Sequence, residues 1–199
     1  MLLPALPPIL LFVLVATFSP GGATTLAVAS GVRFGLRRSL PLCLGIVAGL
    51  TTLAVAASVG LAGVLFEVPR LELVVKVLGT AYLLRLAWGI ARGGAPGQAS
   101  LPEPRRFVAG VLLLLLNPKA WAVTLSAAAA FGGQVDGAGR LALLLGGAFA
   151  VCSTASQLAW CGLGGAVGRL LTKPWHWRAL NVTLAVLVVA SIVPIWLPA

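Results

Sequence analysis

The sequence predicts an all-α integral membrane protein with six transmembrane helices, arranged as two inverted three-helix repeats whose first helices are broken. Three observations carry that expectation. Of the 199 residues, 60% are hydrophobic and only 9% are charged, against roughly a quarter charged in an average soluble domain. Apolar windows long enough for about 20 helical residues, the length that spans a bilayer core, recur near 5–30, 40–65, 69–90, 107–130, 141–165 and 179–198. Basic side chains gather in alternate connections between those windows.

Composition also excludes several classes. Fourteen Lys and Arg against four acids give a formal charge of +10, but the charges are sparse and separated by apolar runs. That leaves no continuous footprint for a phosphate backbone, so nucleic acid is not an expected partner. Cys43, Cys152 and Cys161 form no CxxC pair, and the single His176 is too little for a zinc cluster. No cofactor or metal is expected, and no acid, base and nucleophile set suggests an enzyme.

The first window holds "FSPGGATT", in which Pro20 stands between Ser19 and the Gly21–Gly22 pair, with Thr24 just beyond. Proline removes an N–H and paired glycine removes side-chain cover, so a break in the helix is expected there. The window lacks the basic start of a cleaved leader and is read as a span that stays. Arg33, Arg37 and Arg38 follow in the first connection. The second window carries Gly45 and Gly49, and the fifth carries Gly164 and Gly168; these four-residue intervals suit close helix contact. The second connection is weakly charged, with Arg70 between Glu67 and Glu72.

On the third window Glu72 and Lys76 are four apart and can pair on one helix face, with Tyr82 further along. The third connection, rich in Gly and Pro, carries Arg92, Arg105 and Arg106. It divides a single transmembrane domain, 1–199, into candidate repeats 1–92 and 105–199 joined by a cytoplasmic linker, 93–104. Three spans per half is an odd number, so the second half enters from the opposite side.

The fourth window contains "LLLLLNPKAWAV". Counting from residue 107 at about 1.5 Å per residue, Asn117 lies roughly 15 Å deep in a core about 30 Å thick. Pro118 frees a carbonyl there, Asn117 can satisfy it, and the Lys119 charge must pair, snorkel or face water. Asp136 and Arg140 follow in the weakly charged fourth connection; Gln157 lies in the fifth span and Asn181 begins the sixth. The fifth connection is basic through Arg169, Lys173 and Arg178, while Trp175, Trp177 and Trp196 suit an interfacial belt. With the three basic connections inside, both termini are expected outside the cytoplasm.

Breaks at comparable depth in the first span of each half are the arrangement by which discontinuous helices build a solute site. The expected substrate pathway is Ser19, Pro20, Gly21, Gly22, Thr24, Asn117, Pro118 and Lys119. Candidate gating or packing residues are Glu72, Lys76, Tyr82, Gln157 and Asn181. Structural kinks and helix-to-helix hydrogen bonds remain the alternative role for each.

Three segments in order, "SPGGATTLAVASGVRFGLRRSLPLCLGIVAG", "VVKVLGTAYLLRLAWGIAR" and "FVAGVLLLLLNPKAWAV", resemble the LysE/RhtB family of bacterial amino-acid exporters over nearly the whole chain. Pro20 and Gly21 match the family's first break, Lys76, Gly79, Tyr82 and Leu83 its third-span pattern, and Asn117, Pro118 and Lys119 its second break. Gly22 stands where the family commonly has a second proline, and the second span has no acid where many members place an aspartate. The resemblance implies a secondary exporter of a small metabolite, an amino acid or derivative, driven by the proton motive force from a bacterial inner membrane. Expected partners are a small amphiphilic solute, a coupling proton and membrane lipid, with a homo-oligomer left open. A non-transporting scaffold or assembly subunit is the alternative. The missing acid argues against a site for a cationic solute.

Overall fold

A computed structural model describes residues 5–60, 69–93 and 107–196, and all regular structure among these is α-helical. The helices are α1 Leu6–Phe18, α2 Gly22–Ser58, α3 Pro69–Ala91, α4 Phe107–Leu115, α5 Pro118–Gly132, α6 Ala138–Leu170, α7 Pro174–Ala190 and the short α8 Val193–Trp196. The expected linker beyond Gly93, with Arg105 and Arg106, lies outside the described residues, as do Glu67 and Glu103.

The molecule is a multi-pass membrane protein whose surface is turned inside out relative to a soluble one. Leu11, Val15, Leu143 and Val151 are exposed, while Ser39, Thr124, Ser153 and Ser156 are almost fully buried. Lipid accepts the former, and the polar groups must find partners within the bundle. Three helices, Gly22–Ser58, Leu73–Ala91 and Ala138–Leu170, are long and apolar enough to cross a membrane. The pair α4 and α5 passes the same test jointly but is bent by 67° at Leu116 and Asn117, giving a fourth if it counts as one span. The remaining windows are divided or short: a break after Phe18 limits α1 to 13 residues, and α7 has 17.

A loop was expected between the first two windows, but helix runs up to Gly35 and resumes directly after it. Gly35 alone leaves helical geometry, at φ 73 and ψ 169, a left-handed region in which a side chain would be strained. The chain folds back at that residue. Ser30 and Ser39 Oγ are 2.7 Å apart, although nine residues of straight helix would separate them by about 13 Å. Ala27 and Cys43 likewise share one small cluster with Cys161. Arg33, Arg37 and Arg38 therefore sit on the helical turns flanking a one-residue reversal.

Glycines set the distances between helices. A Cβ at Gly45 would run into the Phe107 carbonyl and one at Gly49 would stand 2.9 Å from Leu114 Cβ, so the strand of helix after the reversal lies directly against α4. A Cβ at Gly164 would strike the Val28 carbonyl, and one at Gly168 would come within 2.8 Å of the Val32 carbonyl. Without a hydrophobic drive between helices in lipid, such close backbone approach supplies the dispersion contacts that hold them. Both glycine pairs thus have the packing role their spacing suggested.

Candidate functional site

The two breaks are built differently and meet at one cavity. At the first, the Pro20 ring pushes Ser19 out of helical geometry, and the chain is extended at Ser19 (ψ 135) and again at Gly21 (φ −177, ψ −175). The end of α1 turns its hydroxyls onto its own carbonyls, Thr17 to Val13 at 2.8 Å and Ser19 to Ala16 at 2.9 Å. Where α2 begins, the Gly21 amide donates to Thr24 Oγ1 at 2.9 Å, satisfying a donor near the helix start.

At the second break Asn117 is extended (φ −100, ψ 104) because Pro118 follows it, and its Oδ1 accepts from the Lys119 amide at 3.1 Å. Pro118 opens α5, a position where its missing N–H leaves no bond unmade. The Leu115 carbonyl that the bend frees accepts from the Trp121 indole at 2.8 Å. The same device recurs at α7: Pro174 opens the helix and the Trp177 indole donates to the Leu171 carbonyl at 3.0 Å. Trp177, expected in an interfacial belt with Trp175 and Trp196, is instead buried, because its ring folds back over the turn it stabilises.

Lys119 joins the two. Its Nζ donates to Ser19 Oγ at 2.8 Å and to the Pro20 carbonyl at 3.0 Å, so an ammonium on the second break holds the first. A Cβ at Gly21 would stand 3.2 Å from that Nζ; glycine leaves room for the approach. On the other side, α3 seats against both breaks. A Cβ at Gly79 would run into the Leu116 carbonyl, and Leu83 Cδ2 would lie 2.9 Å from a Cβ at Gly22. Gly79 and Leu83 are one turn apart, and both belong to the third-span pattern noted in the sequence.

Between the breaks lies a cavity with about 60 Å³ open to the centres of water molecules, where one water needs roughly 10–15 Å³. Of the expected pathway residues, Ser19, Gly21, Gly22, Thr24, Asn117 and Lys119 line it. Pro20 contributes its carbonyl to Lys119, and Pro118 stands behind the wall beside Gly79. The starts of α2 and α5 both face the space, and their first-turn amides carry partial positive charge. Ile46, Leu50, Val123 and Phe149 make the apolar part, and no acid is among the described residues that line it.

The candidate gating residues scatter. Gln157 lines the cavity. Asn181 instead donates to the Gly93 carbonyl, tying α7 to the end of α3, and Tyr82 reaches the Ala109 carbonyl on α4 at 3.5 Å. Lys76 is half-buried on α3 away from the cavity lining. Glu72 is on α3, with its side chain outside the described ones. Ser153, also in the cavity wall, was missed, since one serine in an apolar helix carries no signal of its own.

Residues 14–191 match the family described as LysE type translocator. A cysteine/O-acetylserine efflux protein of Klebsiella pneumoniae subsp. pneumoniae is 33% identical over 111 residues, which cover 55% of this chain and 56% of that protein. The match therefore spans about half the length of that relative. The protein of the same description from Salmonella typhimurium is 25% identical over 186 residues, covering 93% of this chain and 94% of the other. An uncharacterized membrane protein of Vibrio cholerae is 29% identical over 115 residues, 55% of this chain and 56% of its own. No solved structure matches.

Proposed function

The chain belongs to the LysE type translocator family, and from that premise we propose that it is a secondary exporter of an amino acid or derivative, moving it from cytoplasm to exterior at the expense of the proton motive force. The family consists of transporters of small solutes rather than enzymes, and the cysteine/O-acetylserine efflux proteins among the relatives support a substrate of that size. The observation that carries the reading is Lys119, whose ammonium spans the two breaks at the wall of the cavity.

A substrate carboxylate entering this space meets the Lys119 ammonium and the amide-rich starts of α2 and α5. Ser19 and Asn117 offer fixed hydrogen bonds beside it. Because Lys119 already donates to Ser19 and Pro20, an arriving carboxylate competes for the bonds that hold the first break against the second. Substrate binding thereby loosens one break from the other, which is the differential contact that alternating access requires.

The proposed topology is six crossings with both termini outside. It draws support from the fold-back at Gly35, which makes α1 and 22–34 one broken crossing and 36–58 the next, and from the alternation of basic connections. Arg33, Arg37, Arg38, Arg169, Lys173 and Arg178 then share the cytoplasmic end.

Cells with and without the protein, compared for intracellular and extracellular amino acids, test the function. Export predicts that expression shifts at least one small amino acid or derivative outward, and that a protonophore abolishes the shift. Unchanged pools with protein in the membrane would favour the scaffold role.

A further inference from the structure

We infer that Ser153 and Gln157 form the pole that recognises the substrate's ammonium group, so that the cavity selects small zwitterions with one carboxylate, one ammonium and a neutral side chain. The inference rests on the export reading above and adds the substrate class.

Two independent features point there. The first is orphaned acceptors. Gln157 Oε1 and Ser153 Oγ are buried, at 3% and 1% residue exposure, and neither has a hydrogen-bond partner among the described residues. Thr51 Oγ1 on α2 is also without a partner among the described residues but lies outside the cavity lining, and the other hydroxyls nearby behave differently. Thr154, next along α6, donates to the Ala150 carbonyl at 2.7 Å; Ser156 donates to the Thr17 carbonyl at 2.7 Å; Ser58, Thr124 and Ser191 each bond a carbonyl of their own helix. A buried polar atom left without a partner is destabilising, and these two stand one helical turn apart on the same wall of the cavity.

The second is the division of charge. Lys119 and the starts of α2 and α5 make one part of the cavity electropositive, while the α6 part of the wall holds Ser153 and Gln157, whose hydroxyl and amide oxygens lie buried and unpartnered among the described residues. An ammonium offers donors only, so it suits the α6 wall and is repelled by Lys119. A carboxylate has the opposite preference. An α-amino acid satisfies both poles at once in a single orientation.

The same wall sets limits. No acid lines the cavity among the described residues, so a second ammonium would enter uncompensated, and a second carboxylate would meet the α6 oxygens. Ile46, Leu50, Val123 and Phe149 leave apolar room for a short neutral side chain. The neutrality of Gln157 and Ser153 also lets the empty site exist without a buried negative charge.

The test compares two probes that differ only at the proposed pole, S-methyl-L-cysteine and its deaminated analogue 3-(methylthio)propionate. Binding of each to the purified full-length protein is measured by calorimetry, alongside efflux of S-methyl-L-cysteine from cells. The intact protein should prefer the amino acid by about tenfold or more, the worth of a hydrogen bond to a charged group. Gln157→Leu and Ser153→Ala should each shrink that ratio to near unity, Gln157→Glu should restore it, and Lys119→Met should weaken both probes together. A ratio that stays at its original value in Gln157→Leu and Ser153→Ala, with efflux intact, overturns the ammonium pole and leaves the export reading standing. An intact protein that binds neither probe and exports no amino acid removes the export reading, and the pole with it.

Discussion

At the first break Pro20 and two glycines end one helix, and Thr24 alone among nearby side chains secures the start of the next; at the second an amide, a proline ring and an indole share that task. Asn117 caps α5 and Trp121 caps the carbonyl that the bend exposes, so the second break is satisfied by residues within six positions of itself. The first is not. The Pro20 carbonyl and the hydroxyl of Ser19 are held by Lys119, about a hundred residues away in the chain. The two breaks thus differ in self-sufficiency: the second is built as a fixed frame, and the first leans on it. Under the proposed mechanism a bound carboxylate competes for that distant ammonium and releases the first break.

The largest test of this asymmetry is Lys119→Met. It keeps the length of the side chain but removes two charge-assisted hydrogen bonds, each worth about 1.5–3 kcal/mol. Efflux at equal membrane abundance should fall by roughly 100-fold or more. Single cysteines placed at Ser19 should at the same time become more reactive toward a small hydrophilic maleimide, because the first break loses its anchor. Unchanged labelling would mean that the two breaks are not coupled through this side chain.

Asn117→Leu comes next. It strips the cap from α5 while conserving bulk, leaving the Lys119 amide without its acceptor. Loss of about 1–3 kcal/mol corresponds to an efflux reduction of roughly 5 to 150-fold if expressed wholly in the transport step. Because Asn117 also orients the turn that carries Lys119, labelling at Ser19 should rise here too. Wild-type efflux from this variant would remove the second break from its framing role.

Thr24→Val should have the smallest effect. It deletes two neutral hydroxyl bonds to Gly21, but the Gly21 carbonyl keeps the Thr25 amide and only the Gly21 amide is left unmet; the loss of about 0.5–1.5 kcal/mol should lower efflux by about 2 to 12-fold. The second break should not notice: thermal unfolding of Thr24→Val combined with Asn117→Leu should be additive within about 0.5 kcal/mol. A strong coupling between these two positions would show that the frame is not independent after all.

Much of this was open to a reader of the chain. Pro20 beside two glycines and Pro118 after an asparagine announce breaks because proline's missing donor and ring act on immediate neighbours. The glycine intervals at 45 and 49 and at 164 and 168 announce close packing for an equally local reason, one helical turn per repeat. Other residues gave no such notice. Ser153 resembles any serine that bonds its own helix, as Thr154 does. Gly79 belongs to the third-span pattern, but the pattern gives no reason for a glycine until the Leu116 carbonyl is found against it. Trp177 looked interfacial because its neighbours Trp175 and His176 shared the signal.

By itself the sequence determined the solvent, the apolar segments, the places where helices must stop and the family, because each of these depends on composition or on interactions reaching only a few residues along the chain. Which side chains face one another was decided by the tertiary structure. The fold-back at Gly35 set Ser30 against Ser39; the packing of α6 against α1 and α2 turned Ser153 and Gln157 toward the cavity; and the approach of the two breaks gave Lys119 the partners Ser19 and Pro20. A charge in a membrane requires a partner, and that requirement is written in the sequence, but the partner's identity depends on which backbone segments the whole bundle brings within 3 Å.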